Sequence, residues 1–497
     1  MKGSVRFRWT GALAISLMVL GAVLRLVPFL ESRALWCDEA KLAVNVLDRS
    51  VWDLFQPLDH GQLAPAGFLL LTKALLGLLG DGERVFRTIP LMAALASLPL
   101  LWAVAHRRVP AIAAVVALGL FAVHGDSIYF AAEFKQYSLD TAIALGMTAI
   151  LLWWGDRGYD LRSTWWAGTA AAASGWFSLP SALIVGPGIA WHWVSARRKR
   201  DRRSSGRIGW VMAAWVSSTF LLVLLVLRPT MGSDFLHEYW RAGFLPLDSM
   251  AGGVRWVLQS PRRIMHWPMG FHSHGIALFL TATGTIWLLL NQRSLAPFIL
   301  GPVLASFLAG VFHLYPFGGY GGRTILFLVP FLLLLLSLPM GWAAGKAGGS
   351  RWIPVLVSCL LVVLLMHPLR GVASQFRDGI QREELWPVLQ EVQSLVEPGE
   401  TVYVYHGARF PLLYYDRHLE LTSVRIVNGS SPSQGEALPG DLDSLRSFGR
   451  VWVVASWGCA GSEEEVEAMA AYLRQSARMM TDIRRPGARA ILFDFGS

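Results

Sequence analysis

The sequence predicts a polytopic α-helical membrane protein of about eleven crossings, with a small α/β domain at its C-terminal end. Three observations carry that prediction. The 497 residues are 54% hydrophobic and only 16% charged, against roughly 25% charged in soluble globular chains. Apolar residues fall in runs, such as Ile208–Leu227, Leu295–Phe312 and Ile325–Leu338, suited to crossing a hydrocarbon core of about 30 Å. From residue 372 onward charges return, and helical stretches alternate with strand-like ones.

The mean hydropathy of +0.44 agrees with a chain covered mostly by lipid. A net charge of +10 raises the question of a nucleic-acid partner, and the placement of the charges argues against one. Residues 197–207 (RRKRDRRSSGR) hold seven basic side chains and one acid between two apolar stretches. That is a cytoplasmic loop under the positive-inside bias, with anionic lipid headgroups as neighbours.

The first crossing covers roughly residues 10–30, with Lys2, Arg6 and Arg8 holding the N-terminus inside. No small-residue cleavage site follows it, so it reads as an uncleaved span. A mixed outer segment, 31–86, leads to a second crossing that ends at His106-Arg107-Arg108. The third and fourth, near 110–124 and 139–154, form a hairpin around HGDSIYFAAEFKQYS. Trp165–Val194 is too long for one ordinary crossing, and Leu179-Pro180-Ser181 divides it into two short ones. The seventh, near 208–228, opens a second outer segment, 229–273. The eighth and ninth meet at Asn291-Gln292-Arg293, and the tenth ends near 340. A Gly-rich link with Lys346 and Arg351 precedes the eleventh, which ends near His367.

Parity then places the tail outside. The chain divides into a transmembrane part, 1–371, and a soluble α/β domain, 372–497. Helices are expected at Glu383–Val396 and Glu463–Arg478, strands at Thr401–Tyr405, Arg450–Ala455 and Ala488–Phe493. Of three cysteines, Cys359 lies in an apolar run, while Cys37 and Cys459 share the expected outer side. Three are too few and too scattered for a disulfide framework or a zinc site, and a Cys37–Cys459 pairing stays open.

Candidate chemistry gathers at the outer loops. Asp38-Glu39 lies just past the first crossing, ahead of apolar positions at helical spacing (Leu42, Val46, Leu47). A carboxylate beside lipid can have its pKa raised toward that of a general base, although an acidic pair also suits an ordinary helix start. Arg25 sits inside the outer half of a span, where it either seeks a partner or snorkels to the interface. HGQLAPAGFLLLTK offers His60 and Gln62 as sugar or headgroup contacts, with Pro65 breaking the chain before an apolar helix. Asp126, Glu133, Lys135 and Tyr137 crowd one hairpin, as a polar wall of a site or as an interfacial belt. In GGYGGRTILFLVP, four glycines free the backbone beside Arg323, whose planar fork suits a phosphate; a tight turn beside a snorkelling arginine is the plainer alternative. His266, His272 and His274 read as interfacial surface, and no metal cage is expected.

Taken in order, Arg25, LWCDEA, HGQLAPAGFLLL, AAEFKQYSL and GGRTILFLVPFLLLLL resemble the polyprenyl-phosphate-sugar-dependent glycosyltransferases of the GT-C fold. The pattern is most similar to the protein O-mannosyltransferase and lipid A aminoarabinose transferase superfamily, over roughly residues 10–340. The resemblance implies that Asp38 is the catalytic base, with Glu39 in the same site. It implies that Arg323, aided by Arg25, holds the carrier phosphate. Where the family pattern usually has arginine this chain has Lys135, which keeps a cation but loses the bidentate fork and weakens a phosphate role there. The implied activity is an inverting transfer of sugar from a polyprenyl-phosphate carrier to a hydroxyl of a protein, lipid or glycan acceptor. It needs no nucleotide, metal or other cofactor. The expected setting is a bacterial inner membrane, with the active site and C-terminal domain extracytoplasmic. A transporter or flippase of lipid-linked sugars is the competing expectation, but such proteins favour mid-membrane sites built on internal repeats, and none is visible here.

Overall fold

The computed structural model describes residues 2–228, 234–346, 352–379, 382–419, 424–430 and 437–496. Helix α1 (Lys2–Glu31) is followed by a short surface helix, α2 (Cys37–Asp48), and by α3 (Ala66–Leu79), which starts directly after Pro65. Next come α4 (Glu83–Ala105), α5 (Ala111–Ala122), the one-turn α6 (Gly125–Tyr129) and α7 (Tyr137–Asp156). The long run at 165–194 breaks where its proline predicts. Helix α8 (Leu161–Phe177) and α9 (Ala182–Arg198) are separated by a 3-10 turn at Leu179–Ser181. Helix α10 (Arg202–Leu222) continues through a π turn to Leu227.

The second loop segment holds α11 (Asp234–Tyr239) and the amphipathic α12 (Met250–His266); its first residues, 229–233, lie outside the described residues. Helices α13 (His274–Asn291) and α14 (Ala296–Val311) lead to a 3-10 segment, Tyr320–Leu328, which runs into α15 (Val329–Gly345). Of the expected Gly-rich link, 347–351, including Arg351, lies outside the described residues. Helix α16 (Trp352–Asp378) extends past residue 371, the expected domain boundary.

All eleven expected crossings are thus helical. Among the described residues seven helices are long and apolar enough to cross a membrane, and α5 with Gly125–Ala132, bent by 57°, makes an eighth if the bent pair is one span. The remaining three, α8, α9 and α14, have 17, 17 and 16 residues. In lipid each crossing segment must satisfy its own backbone, which is why every run resolves into helix. The chain is a multi-pass membrane protein.

The bundle has two chemically different ends. At one, Arg108 meets Asp156 at 2.5 Å, and Arg207, at the end of the basic run 197–207, donates to the Tyr159 carbonyl at 2.6 Å. At the other end lie α2, the α5–α7 connection, the 3-10 segment before α15 and the C-terminal domain.

That domain continues with α17 (Leu385–Leu395), β1 (Thr401–Val404), α18 (Arg409–Tyr415), β2 (Arg425–Asn428), α19 (Ala437–Ser444), β3 (Arg450–Ser456), α20 (Glu463–Leu473), β4 (Arg478–Arg485) and β5 (Ala488–Asp494). The sheet order is β2-β1-β3-β5-β4, with β2, β1 and β3 parallel and β5 antiparallel to both its neighbours. The three expected strands are present. Strands β2 and β4 were not expected, and the helix expected over Glu463–Arg478 stops at Leu473, so that Arg478 opens β4. Both added strands lie at sheet edges and are mostly solvent-facing, so neither has the apolar alternation that marks a half-buried strand. In the tail, residues 380–381, 420–423, 431–436 and 497 lie outside the described residues.

The domain is packed onto the bundle. Leu35, Leu42, Val46, Phe68 and Phe86 share one hydrophobic cluster with Leu389, Tyr414, Trp452 and Leu492. Polar contacts reinforce it: the Leu35 N–H donates to the Tyr415 hydroxyl at 2.7 Å, and the Tyr414 hydroxyl donates to the Asp81 carbonyl at 2.6 Å. Cys37 and Cys459 form a disulfide that joins the start of α2 to the loop after β3.

Candidate active site

The sharpest feature is the Asp38 carboxylate. Asp38 lies in the first turn of α2, and its side chain is 16% exposed. Two cations from distant elements meet it. Lys135, in the α5–α7 connection, reaches one oxygen at 3.2 Å, and Arg323, in the 3-10 segment before α15, reaches the other at 3.3 Å. Gln62 closes the group: its amide donates to Asp38 at 3.2 Å and its carbonyl accepts from Lys135 at 2.7 Å. Burial by itself raises the Asp38 pKa, but Lys135, Arg323 and the Gln62 hydrogen bond outweigh it and hold the carboxylate down at about 2. This corrects the expected upward shift: burial does raise the value, and two close cations overrule it.

Arg323 is shaped for a planar anion. It lies in a cage of three aromatic faces, Tyr137 at 5.8 Å, Tyr239 at 5.7 Å and Trp240 at 5.1 Å. The Tyr239 hydroxyl also accepts from its guanidinium at 2.7 Å. Such stacking fixes the guanidinium plane while leaving its edge for ligands. Gly322, just before it, has a positive φ of 62°, and a Cβ there would meet Pro268, so glycine is required at this close approach. Sequence reading missed Tyr239 and Trp240. An aromatic pair in a loop looks like interfacial belt until the fold sets it against an arginine.

Other expected site residues lie elsewhere. Glu39 is a correction. Its side chain is fully buried; one oxygen accepts from Arg87 at 2.9 Å and the Phe134 N–H at 2.6 Å, the other from Arg87 at 2.6 Å. Consecutive helical residues point about 100° apart, so Asp38 and Glu39 cannot share one pocket. Arg25 is a second correction. Its guanidinium donates to the Gly21, Ala122 and Phe121 carbonyls at 2.9, 3.0 and 3.0 Å, closing the end of α5 where the chain bends. Those donors are spent on backbone and not available to a phosphate.

Glu133 pairs with the buried Arg33 at 3.3 Å, behind the site. Asp126, buried at the start of α6 with its Oδ2 unpartnered among the described residues, is not part of the Asp38 group. His60 is exposed, in a left-handed conformation (φ 62°), with its ring 4.6 Å from that of Phe410 in α18. Gln62, Lys135 and Tyr137 therefore join the site, while His60 stands at its rim. His266, His272 and His274 gather with His367 of α16, the His272 and His367 Nε2 atoms lying 3.2 Å apart. Among the described residues no group of three or more His, Cys, Asp or Glu side chains is arranged to hold a metal ion.

A carboxylate between two cations, one of them caged for a planar anion, can bind a phosphate and take a proton beside it. The fold around this site is the GT-C membrane-enzyme fold, as comparison with solved structures shows. The chain is similar to the oligosaccharyltransferase of Archaeoglobus fulgidus, solved with Zn and sulfate. The match spans 89% of this chain and 67% of the archaeal one, at 12% identity and a TM-score of 0.54. The archaeal oligosaccharyltransferase AglB, also from Archaeoglobus fulgidus, in complex with an inhibitory peptide and a dolichol-phosphate, matches over 98% of this chain and 74% of its own, at 10% identity and a TM-score of 0.54. ArnT from Cupriavidus metallidurans aligns over 98% of both chains at 12% identity, with a TM-score of 0.48. No family model and no curated protein matches the sequence.

Proposed function

We propose that the protein is a membrane glycosyltransferase that moves a sugar from a polyprenyl-phosphate carrier to an acceptor hydroxyl on the extracytoplasmic face. One observation carries this reading: the Asp38 carboxylate is held between Lys135 and Arg323, at the end of the bundle away from the basic run 197–207. The Cys37–Cys459 disulfide beside it suits an oxidising compartment. A neighbour of the same fold was solved with a dolichol-phosphate, a lipid carrier of the class proposed here.

Asp38 lies between the two cations that a donor phosphate would engage. A donor phosphate draws Arg323 and Lys135 to its own oxygens, and Asp38 recovers basicity as it loses them. The carboxylate then takes the acceptor hydroxyl's proton as that oxygen bonds to the anomeric carbon. The bond from that carbon to the phosphate oxygen breaks, and its electron pair leaves with the polyprenyl phosphate. Attack from the face opposite the phosphate inverts the configuration. Arg323, steadied by its aromatic cage, stabilises the charge on the leaving phosphate.

The test is transfer from a radiolabelled polyprenyl-phosphate sugar to acceptor in proteoliposomes holding the full-length protein. Wild type should transfer, and Asp38→Asn should lose on the order of a hundredfold or more. An Asp38→Asn protein working at the wild-type rate removes the assignment, and carrier translocation without transfer favours a transporter.

A further inference from the structure

Helix α2 carries Asp38 but has no cap of its own. Trp36 occupies its N-cap position and makes no side-chain hydrogen bond to the helix. A helix start leaves several N–H groups in need of acceptors. Here one acceptor comes from 346 residues further along the chain, where Glu383 Oε2 accepts the Cys37 N–H at 2.8 Å. The other Glu383 oxygen accepts from the Ser456 hydroxyl, at the end of β3. The carboxylate is buried, 1% exposed, and Gly458 leaves room for it, because a Cβ there would strike Oε2. The disulfide to Cys459 holds the same residue, Cys37, through its side chain. The residue before Asp38 is thus gripped at both its backbone and its side chain by the C-terminal domain.

We propose that Glu383 is a positioning residue for Asp38: it caps α2 across the domain boundary and makes the C-terminal domain a working part of the active site. Because Asp38 is the second residue of α2, the place where the helix starts decides where the carboxylate meets Lys135 and Arg323. A negative group at a helix N-terminus also favours the helix dipole, so the cap is strongest when Glu383 is ionised. Burial pushes Glu383 up to about 7, against the Ser456 and Cys37 donors and the nearby Lys41 ammonium on α2. The β4–β5 turn packs Gly487 against the Glu383 backbone. The charged cap is therefore present above about pH 7 and lost below it. This inference rests on Asp38 being the base, and its test separates the two ideas.

Full-length wild type, Glu383→Gln and Glu383→Ala are compared in nanodiscs by hydrogen–deuterium exchange over residues 36–44 and by transfer kinetics from pH 5.5 to 8.5. Glu383→Ala should speed exchange in the first turn of α2 and lower kcat by about tenfold, leaving the donor KM unchanged. Glu383→Gln keeps an oxygen for the Cys37 N–H but no charge; it should exchange more slowly than Glu383→Ala, hold kcat near the level wild type shows below pH 7, and lose the acid limb near pH 7 shown by wild type. Wild-type exchange in Glu383→Ala overturns the proposal, as does fast exchange with wild-type kcat. Should Glu383→Ala not fold, an acid limb persisting in Glu383→Gln overturns it equally. If Asp38→Asn transfers normally, the base assignment fails while the exchange data still decide the cap.

Discussion

Glu39 and Arg87 form a closed ion pair, 2.6 Å at its shortest, with both side chains at most 1% exposed. Arg87 also donates to the Arg33 and Ala34 carbonyls at 2.7 and 3.1 Å, so one guanidinium ties α4 to the stretch leading into α2. Glu39→Ala leaves a buried cation without its partner, which typically costs about 3–5 kcal/mol. The expected outcome is a large drop in melting temperature in detergent, with donor affinity preserved in whatever fraction folds. A variant that melts with the wild type shows the pair is not structural.

Asp38 next door is expected to behave oppositely, because the proposed function has its two cations, Lys135 and Arg323, shared with the donor phosphate. Its carboxylate is held at about 2 in place of an ordinary 3.8. For a depressed carboxylate, the stabilisation is present above the unfolded value and disappears as pH falls through the folded one. That difference corresponds to about 2 kcal/mol. Asp38→Asn should therefore melt lower than wild type at pH 6, and the gap should shrink towards pH 2.5. The same variant frees Lys135 and Arg323, so it should bind polyprenyl phosphate at least as tightly as wild type while failing to transfer. Weaker binding in Asp38→Asn contradicts the idea that carboxylate and phosphate compete for one seat.

The bundle was legible in the sequence because each crossing must be a continuous apolar helix, and the Leu179-Pro180-Ser181 break could be read from proline chemistry alone. Gln62, Lys135 and Arg323 were legible as polar groups at the mouths of apolar runs, and the fold brings them to Asp38. Which of two adjacent acids faces the site was not legible, since it depends on the rotation of α2 against α4. Arg25 misled for a related reason: a charge inside a span demands a partner, but sequence cannot say that backbone carbonyls at a bent helix end supply it. Strand β4 carries its charges towards solvent at a sheet edge, so the pattern rules for buried strands pass over it.

Arg25 and Arg323 can be told apart by one pair of measurements. On the proposed function, Arg323→Ala would remove charge-assisted hydrogen bonds to the donor phosphate, each worth about 1.5–3 kcal/mol, so donor affinity should fall by at least tenfold for every acceptor tested. Arg323→Lys keeps the charge but not the fork or the aromatic stacking, and should recover only part of the loss. Arg25→Ala should lower the melting temperature and leave donor affinity in the folded protein unchanged. If Arg25→Ala raises the donor Kd as much as Arg323→Ala does, the Arg25 guanidinium reaches the phosphate and its capping of α5 is not its whole role.

The disulfide gives a thiol count. Cys37 and Cys459 are paired, and Cys359 on α16 is free and exposed. Because Cys359 lies on a membrane-spanning helix, maleimide titration is done on unfolded protein: it should find one reactive thiol per chain before reduction and all three cysteines of the sequence after it. Cys459→Ala removes the covalent tie but leaves Glu383, the Tyr414 and Tyr415 contacts and the shared hydrophobic cluster to hold the domain. Losing the cross-link should cost about 2–4 kcal/mol. The docked arrangement should survive that loss, read as retained exchange protection across α17 and α18. Three reactive thiols in protein purified under air and unfolded without reductant contradict the pairing, and with it the support the disulfide lends to an extracytoplasmic α2.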